Sequence, residues 1–151
     1  MSTEETQGDS FCPVCKARFL KDPGVEFRFC SIECHERAID IAHALHSVRS
    51  AFETVTQDHE RIVERIEALE DRRRRLIQEL RLLGSEWTKV FGTGDRNGIW
   101  IIEVEEKRVS AKARVLDRRV EKLEQRAFLV NEEAKQLQNK LHRLKGAEDQ
   151  V

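Results

Sequence analysis

The chain is poor in aromatic residues, which make up 6% of its 151 positions, and it contains no proline after Pro23. The first scarcity leaves little material for a thick globular core, and the second removes the strongest helix breaker from most of the sequence. No stretch approaches the roughly 18 consecutive apolar residues of a membrane span, so no membrane partner is expected. Residues 1–10 are polar and acidic and lack a basic segment followed by an apolar run, so they do not read as a signal peptide. A net charge of -1 excludes a general attraction to polyanions; any affinity for nucleic acid must come from a local patch. No serine, cysteine or histidine constellation for nucleophilic catalysis, no phosphate loop and no convergent acid pair stands out. The reading is therefore of a protein that is not an enzyme and has no small-molecule substrate.

What the sequence does have is charge, at 36% of residues, and from Ile41 onward that charge alternates with Leu, Ala and Val. This is the bias of a long helix or coiled coil. It also has four cysteines, all between Cys12 and Cys34. Cys12-Pro-Val-Cys15 has the two-residue gap that lets both sulfurs of a tight turn face one tetrahedral ion, and Cys30-Ser-Ile-Glu-Cys34 supplies the second pair. One structural Zn2+ held by Cys12, Cys15, Cys30 and Cys34 is expected, as reduced thiolates in a cytoplasmic protein. A catalytic zinc would need an open position and a nearby general base, and His35 is expected to be an exposed helix residue more than a ligand. Between the pairs, Lys21-Asp-Pro-Gly24 is a turn sequence, and the flanking runs Arg18 to Leu20 and Val25 to Phe29 are expected to pair as a hairpin. Ser31 reads as the N-cap of a helix with Glu33 and Glu36 in its first turn.

The order of knuckle, hairpin and ligand-bearing helix start, with Phe29-Cys30-Ser31-Ile32-Glu33-Cys34 in its second half, resembles the treble-clef zinc fingers of the FCS, MYM and TRASH type. The resemblance spans about residues 11–40 and implies only the four ligand positions. Related fingers serve protein contacts, nucleic-acid contacts or metal sensing.

Beyond Cys34, apolar residues recur at steps of three and four through Leu45, Val48, Phe52, Val55, Ile62 and Ile66 to Leu83, with His59 and Arg73 as polar interruptions at a positions. A second seam, without a polar break, runs from Val109 through Leu116, Leu123, Val130 and Leu137 to Leu144. Neither helix is stable alone with an apolar stripe facing water, and the intervening glycines permit a reversal, so an antiparallel coiled-coil hairpin is expected, with a parallel dimer as rival. Two registers satisfy the seams. A flush register faces Leu76 with Ala113 and turns tightly at Gly94-Asp95, but brings Arg72 to Arg119 and Arg65 to Arg126. A register shifted by one heptad faces Leu76 with Val120 and pairs Glu79 with Arg119 and Arg65 with Glu133; on charge it is favoured. It leaves Ile41, Leu45 and Val48 to be covered by the finger.

The expected fold is thus mainly α: a zinc finger over 11–40, first helix over 41–83, a tip over 84–105, second helix over 106–145, and unstructured ends at 1–10 and 146–151. Residues 84–105 are rich in aromatic and β-branched side chains around turn-forming glycines, which predicts a β-hairpin tip, continued helix being the alternative. Trp87, Phe91, Ile99, Trp100 and Ile101 make the tip a candidate protein contact. Arg72, Arg74, Arg75, Arg114, Arg118 and Arg119 would lie at similar heights and form a basic band suited to a polyanion such as RNA or DNA, or else a solvated face balanced by neighbouring acids. Two functions follow: a scaffold or adaptor for protein partners or self-association, or a nucleic-acid-binding or RNA-polymerase-binding transcription regulator. The second is similar in plan to zinc-associated coiled-coil hairpins that insert their tips into RNA polymerase, but the tip here carries Asp95 without the paired acids of such factors.

Overall fold

The computed structural model describes residues 9–20 and 28–149, with the elements β1 (Asp9–Phe11), β2 (Arg18–Leu20), α1 (Ile32–Thr93) and α2 (Arg96–Asp149). The fold is mainly α: two long helices pack against each other as a hairpin, preceded by a small antiparallel two-stranded sheet. Residues 1–8, the Lys21-to-Gly24 turn, Val25 to Phe27 and the last two residues lie outside the described residues.

The chain divides into two compact units. One, Thr56–Glu132, is a helical hairpin complete in itself. Its buried side chains, Ile62, Ile102, Val109 and Leu116, all occupy seam positions, as the heptad pattern requires. Helix α1 ends with Gly94 at a φ of 71°, its N–H donating to the Phe91 carbonyl at 3.2 Å. Glycine takes this left-handed conformation without the steric cost of a Cβ. Asp95 then caps α2: its carboxylate accepts from the Gly98 N–H at 3.1 Å and its carbonyl from the Ile99 N–H at 3.1 Å. Two residues therefore reverse the chain, and Gly98 lets them do so. A Cβ there would lie 2.6 Å from the Asp95 carboxylate and 2.8 Å from Val90 on α1.

Two expectations are overturned in this unit. The tip is not a β-hairpin and does not span 84–105, because α1 continues to Thr93 and α2 begins at Arg96. Trp87, Val90, Ile99 and Ile102 extend the seams, and their periodicity prevails over the local preference of β-branched and aromatic residues for strands. The register is flush, not shifted. Arg73 pairs with Asp117, and Arg72 and Arg119 flank a single groove together with Leu76 and Leu116. A heptad shift would improve several exposed ion pairs worth about 0.2–1 kcal/mol each. It would also strip the cover from the distal seam, where Ile102 and Val109 are now buried, and burying a side chain of that kind is worth about 1.5–3 kcal/mol. Burial and the two-residue turn outweigh surface charge.

The other unit comprises the residues up to Val55 and those from Glu133 onward. Here Leu45 and Val48 are buried. In the flush register the residues opposite them are Leu144 and Leu141, so α2 provides the cover expected of the finger, and Phe11 is exposed. Residues 146–149 are helical, and Asp9 and Ser10 form part of β1, which corrects the inner limits of the two expected ends; residues 1–8 and 150–151 lie outside the described residues.

Candidate metal centre

The knuckle is built by β1 and β2. They pair with Asp9 opposite Leu20, Ser10 opposite Phe19 and Phe11 opposite Arg18, so the chain leaves and re-enters the sheet around residues 12–17. The Cys12 N–H donates to the Ala17 carbonyl and the Lys16 N–H to the Cys12 carbonyl, both at 2.9 Å. Lys16, at a φ of 62°, takes the left-handed conformation that closes this turn. Arg18–Leu20 pairs with Asp9–Phe11; of the run expected to pair with it, Val25 to Phe27 lie outside the described residues, and Arg28 and Phe29 are not in a strand. Three residues with no alternating pattern gave β1 no signal in the sequence.

The second pair sits at the start of α1. Ser31 is its N-cap, as read from the sequence: the hydroxyl accepts from the Cys34 N–H at 3.2 Å, which fixes Cys34 in the first turn. The sulfurs of Cys12, Cys15, Cys30 and Cys34 all lie within 4.8 Å of one another, with Cys15 to Cys30 at 3.3 Å and Cys30 to Cys34 at 3.5 Å. Four ligands at about 2.3 Å from a tetrahedral ion would stand about 3.8 Å apart, so the cluster matches a closed four-sulfur shell. An all-thiolate donor set suits soft or borderline metals and disfavours magnesium and calcium. His35 is outside the cluster; its ring packs against Phe29 with centroids 5.1 Å apart.

The electrostatics fit cation binding. Burial raises the Cys12 thiol, but backbone N–H groups of Cys15, Cys30 and Val14, with the Cys30 side chain, outweigh it and bring the group down from 9.0 to about 6. Cys30 is pushed up to about 12, first by its hydrogen bond to Cys15 and then by those to Cys34 and Cys12, with burial adding to the rise. One thiol thus holds its proton among sulfurs that attract it, and a cation replacing that proton would balance the charge.

The other candidate residues are dispersed. Among the tip residues, Trp87 and Ile99 are half-buried seam members, and Trp87 stacks on Phe91 at 4.8 Å. Phe91, Trp100 and Ile101 are 60%, 65% and 61% exposed. Of the basic band, Arg72 and Arg119 share a groove. Arg74 pairs with Asp71 on its own helix, while Arg75, Arg114 and Arg118 are exposed. The sequence reading missed Arg65, Lys112 and Lys122, which join Arg72 and Arg119 along that side; their heptad positions carried the signal. No helix among the described residues is long and apolar enough to cross a membrane.

Comparison with known proteins finds no matching family model, no similar curated protein and no similar solved structure. The chain is defined by its architecture: a helical hairpin carrying a four-cysteine, zinc-finger-like site at its N-terminal end.

Proposed function

We propose that this protein is a non-enzymatic, zinc-binding coiled-coil adaptor of the cytoplasm, which uses the apex of its hairpin to hold a protein partner. Zinc is the metal this reading assigns to the four cysteines, since a closed tetrahedral thiolate shell is its commonest structural site and reduced thiolates suit a cytosolic compartment. The observation that carries the adaptor role is the exposure of Phe91, Trp100 and Ile101 beside a turn that does not use them. Gly94, Asp95 and Gly98 close the reversal, and the seam residues Val90 and Ile99 are half-buried and Ile102 buried. Large apolar side chains left over at such a place are typical of a contact surface. Nucleic-acid binding by the arginine band has less support, because Arg74 already has an acidic partner and the named arginines do not converge.

The test is affinity capture from the native host with the native chain, a tip variant (Phe91→Gln, Trp100→Gln, Ile101→Gln) and a Cys15→Ser variant, each checked for helicity. A partner retained by the native chain and lost by the tip variant supports the adaptor reading. Identical partners for native and tip variant move the function away from the apex.

A further inference from the structure

Two consecutive grooves run along one edge of the Thr56–Glu132 hairpin. Arg72, Lys112 and Arg119 stand around the first, of about 400 Å³, over a floor of Leu76, Val115 and Leu116. Arg65, Arg119 and Lys122 stand around the second, of about 380 Å³, over Leu69 and Leu123. No acid lines either groove. All five cations are exposed and have no ion-pair partner among the described residues, whereas Arg61, Arg73, Arg74 and Arg108 each have one. The heptad accounts for this segregation. Within residues 59–78 of α1 and 111–126 of α2, every acid occupies a b, e or f position, as Glu67, Glu70, Asp117 and Glu124 do. The g and c positions, which open on the grooves, carry only cations, Ala68 and Val115. On α1 the strip ends at two acids in g positions, Asp58 and Glu79, about 30 Å apart along the helix.

We infer that this strip is the docking groove for an acidic amphipathic helix of another protein, which lies along α1 and α2 as a third helix. The cations call for anions, and the floors call for apolar side chains standing among those anions. Leu69 and Leu76 are one heptad apart, as are Leu116 and Leu123, so the floors recur about every 10 Å, the interval at which a helix repeats the same heptad position. Val115, 47% exposed, widens the apolar floor of the first groove. A helix with leucine at heptad intervals and carboxylates on both flanks meets both demands together. Nucleic acid would supply the charge but leave the leucines uncovered, and no g or c position of the strip holds an aromatic ring on which a base could stack. A flat anionic membrane would meet the cations and leave the floors between the helices out of reach. Within one chain, Arg72 and Arg119 oppose each other across the groove; carboxylates lodged between them turn that unfavourable layer into a favourable one. The strip uses no residue of the adaptor apex and stands independently of that reading.

The experiment is fluorescence anisotropy of a labelled synthetic peptide of three heptads, with leucine at a and d and glutamate at e and g, titrated with the full zinc-loaded chain. Like charges keep this peptide from pairing with itself at neutral pH. It is expected to bind at low salt, to gain helicity on binding and to weaken as salt rises. A peptide with alanine in place of leucine keeps the charge and the helix propensity and should bind about tenfold more weakly or worse, as should single-stranded DNA of equal charge. R65E/R72E should weaken binding of the leucine peptide about a hundredfold, and R119Q/K122Q, on the other helix, about tenfold. R65E/R72E places acids beside Arg126 and Arg119 within its own chain, so its hairpin should keep its helicity, which circular dichroism will check. Absence of binding at low salt overturns the proposal, as does equal binding by the alanine peptide or undiminished binding by both variants. DNA held more tightly than the leucine peptide would make a polyanion the occupant, and native self-association dispersed by R65E/R72E would make it a second copy; either result also overturns the proposal.

Discussion

Arg73 of α1 and Asp117 of α2 form an ion pair across the hairpin. Arg73 stands at a seam position that an apolar residue would normally fill, and its guanidinium reaches sideways to the carboxylate at the flank. Half-exposed ion pairs are weak, so its value lies in alignment. A slip to the shifted register would carry Asp117 about 10 Å along the axis and bring Glu124, the same flank position one heptad on, level with the guanidinium, so the pair fixes the rotational phase of the helices and the buried seam chooses between the two registers. Arg73→Leu is expected to raise the melting temperature by a few degrees with the register unchanged, read as undiminished crosslinking between cysteines placed at Leu76 and Ala113.

Register itself is testable with cysteine replacements at Leu76 and Ala113, made in a chain whose four native cysteines are serine. Oxidation should close a disulfide within one chain in high yield. The combination of Leu76 with Val120 should crosslink poorly. Efficient closure of the second pair would restore the shifted register.

The turn makes a sharper prediction than the rods. Asp95→Ala removes the carboxylate that accepts from Gly98 and should cost about 1 kcal/mol. Gly94→Ala forces a Cβ into the left-handed region and should cost about 1–2 kcal/mol. Gly98→Val should be worse than Gly98→Ala, since the space is already closed by Asp95 and Val90. Thermal melts followed by circular dichroism would rank the four.

Metal analysis of the purified chain should find one zinc per molecule. Cys15→Ser should lose it and expose the knuckle to proteolysis, with the helical signal retained, because the Thr56–Glu132 unit has its own buried seam. Full zinc content in that variant would reject the ligand set.

Proton release accompanies loading. At neutral pH the Cys12 thiol, lowered to about 6, is already ionised, whereas Cys30, raised to about 12, keeps its proton until a cation displaces it. The depressed group favours the folded site fully above pH 9 and loses that contribution as pH falls through 6. The raised group favours the metal-free fold below pH 9 and ceases to as pH rises through 12. Zinc binding at pH 7 should therefore release at least one proton, measured by calorimetry in buffers of different ionisation enthalpy, and affinity should fall steeply below pH 6.

The heptad seams were legible because a period of three and four over so many residues leaves a helix no other way to bury its apolar face, and Leu45, Val48, Ile62, Val109 and Leu116 are buried where that argument places them. The four cysteines and the Ser31 cap were legible because their chemistry is local in sequence. The apex was not. Trp87 to Val104 satisfies the strand preference and the helical period together, and only the Asp95 cap followed by Gly98 distinguishes them. Strand β1 was hidden for the opposite reason: Asp9-Ser10-Phe11 has no intrinsic preference and is extended because the knuckle beside it folds back. Register misled because exposed charges were weighed without the burial they compete against.

The two-residue reversal at Gly94 and Asp95 also governs how such a molecule can change length. One residue inserted in α2 turns everything after it by about 100° and rotates the seam off its partner. Seven residues added to one helix alone keep the seam's phase but displace every layer by one heptad, setting Arg73 away from Asp117. Only seven residues in each helix, placed level with one another, preserve phase and layer together. The hairpin can grow or shrink only in matched heptads, a quantised ruler with its zero at the turn.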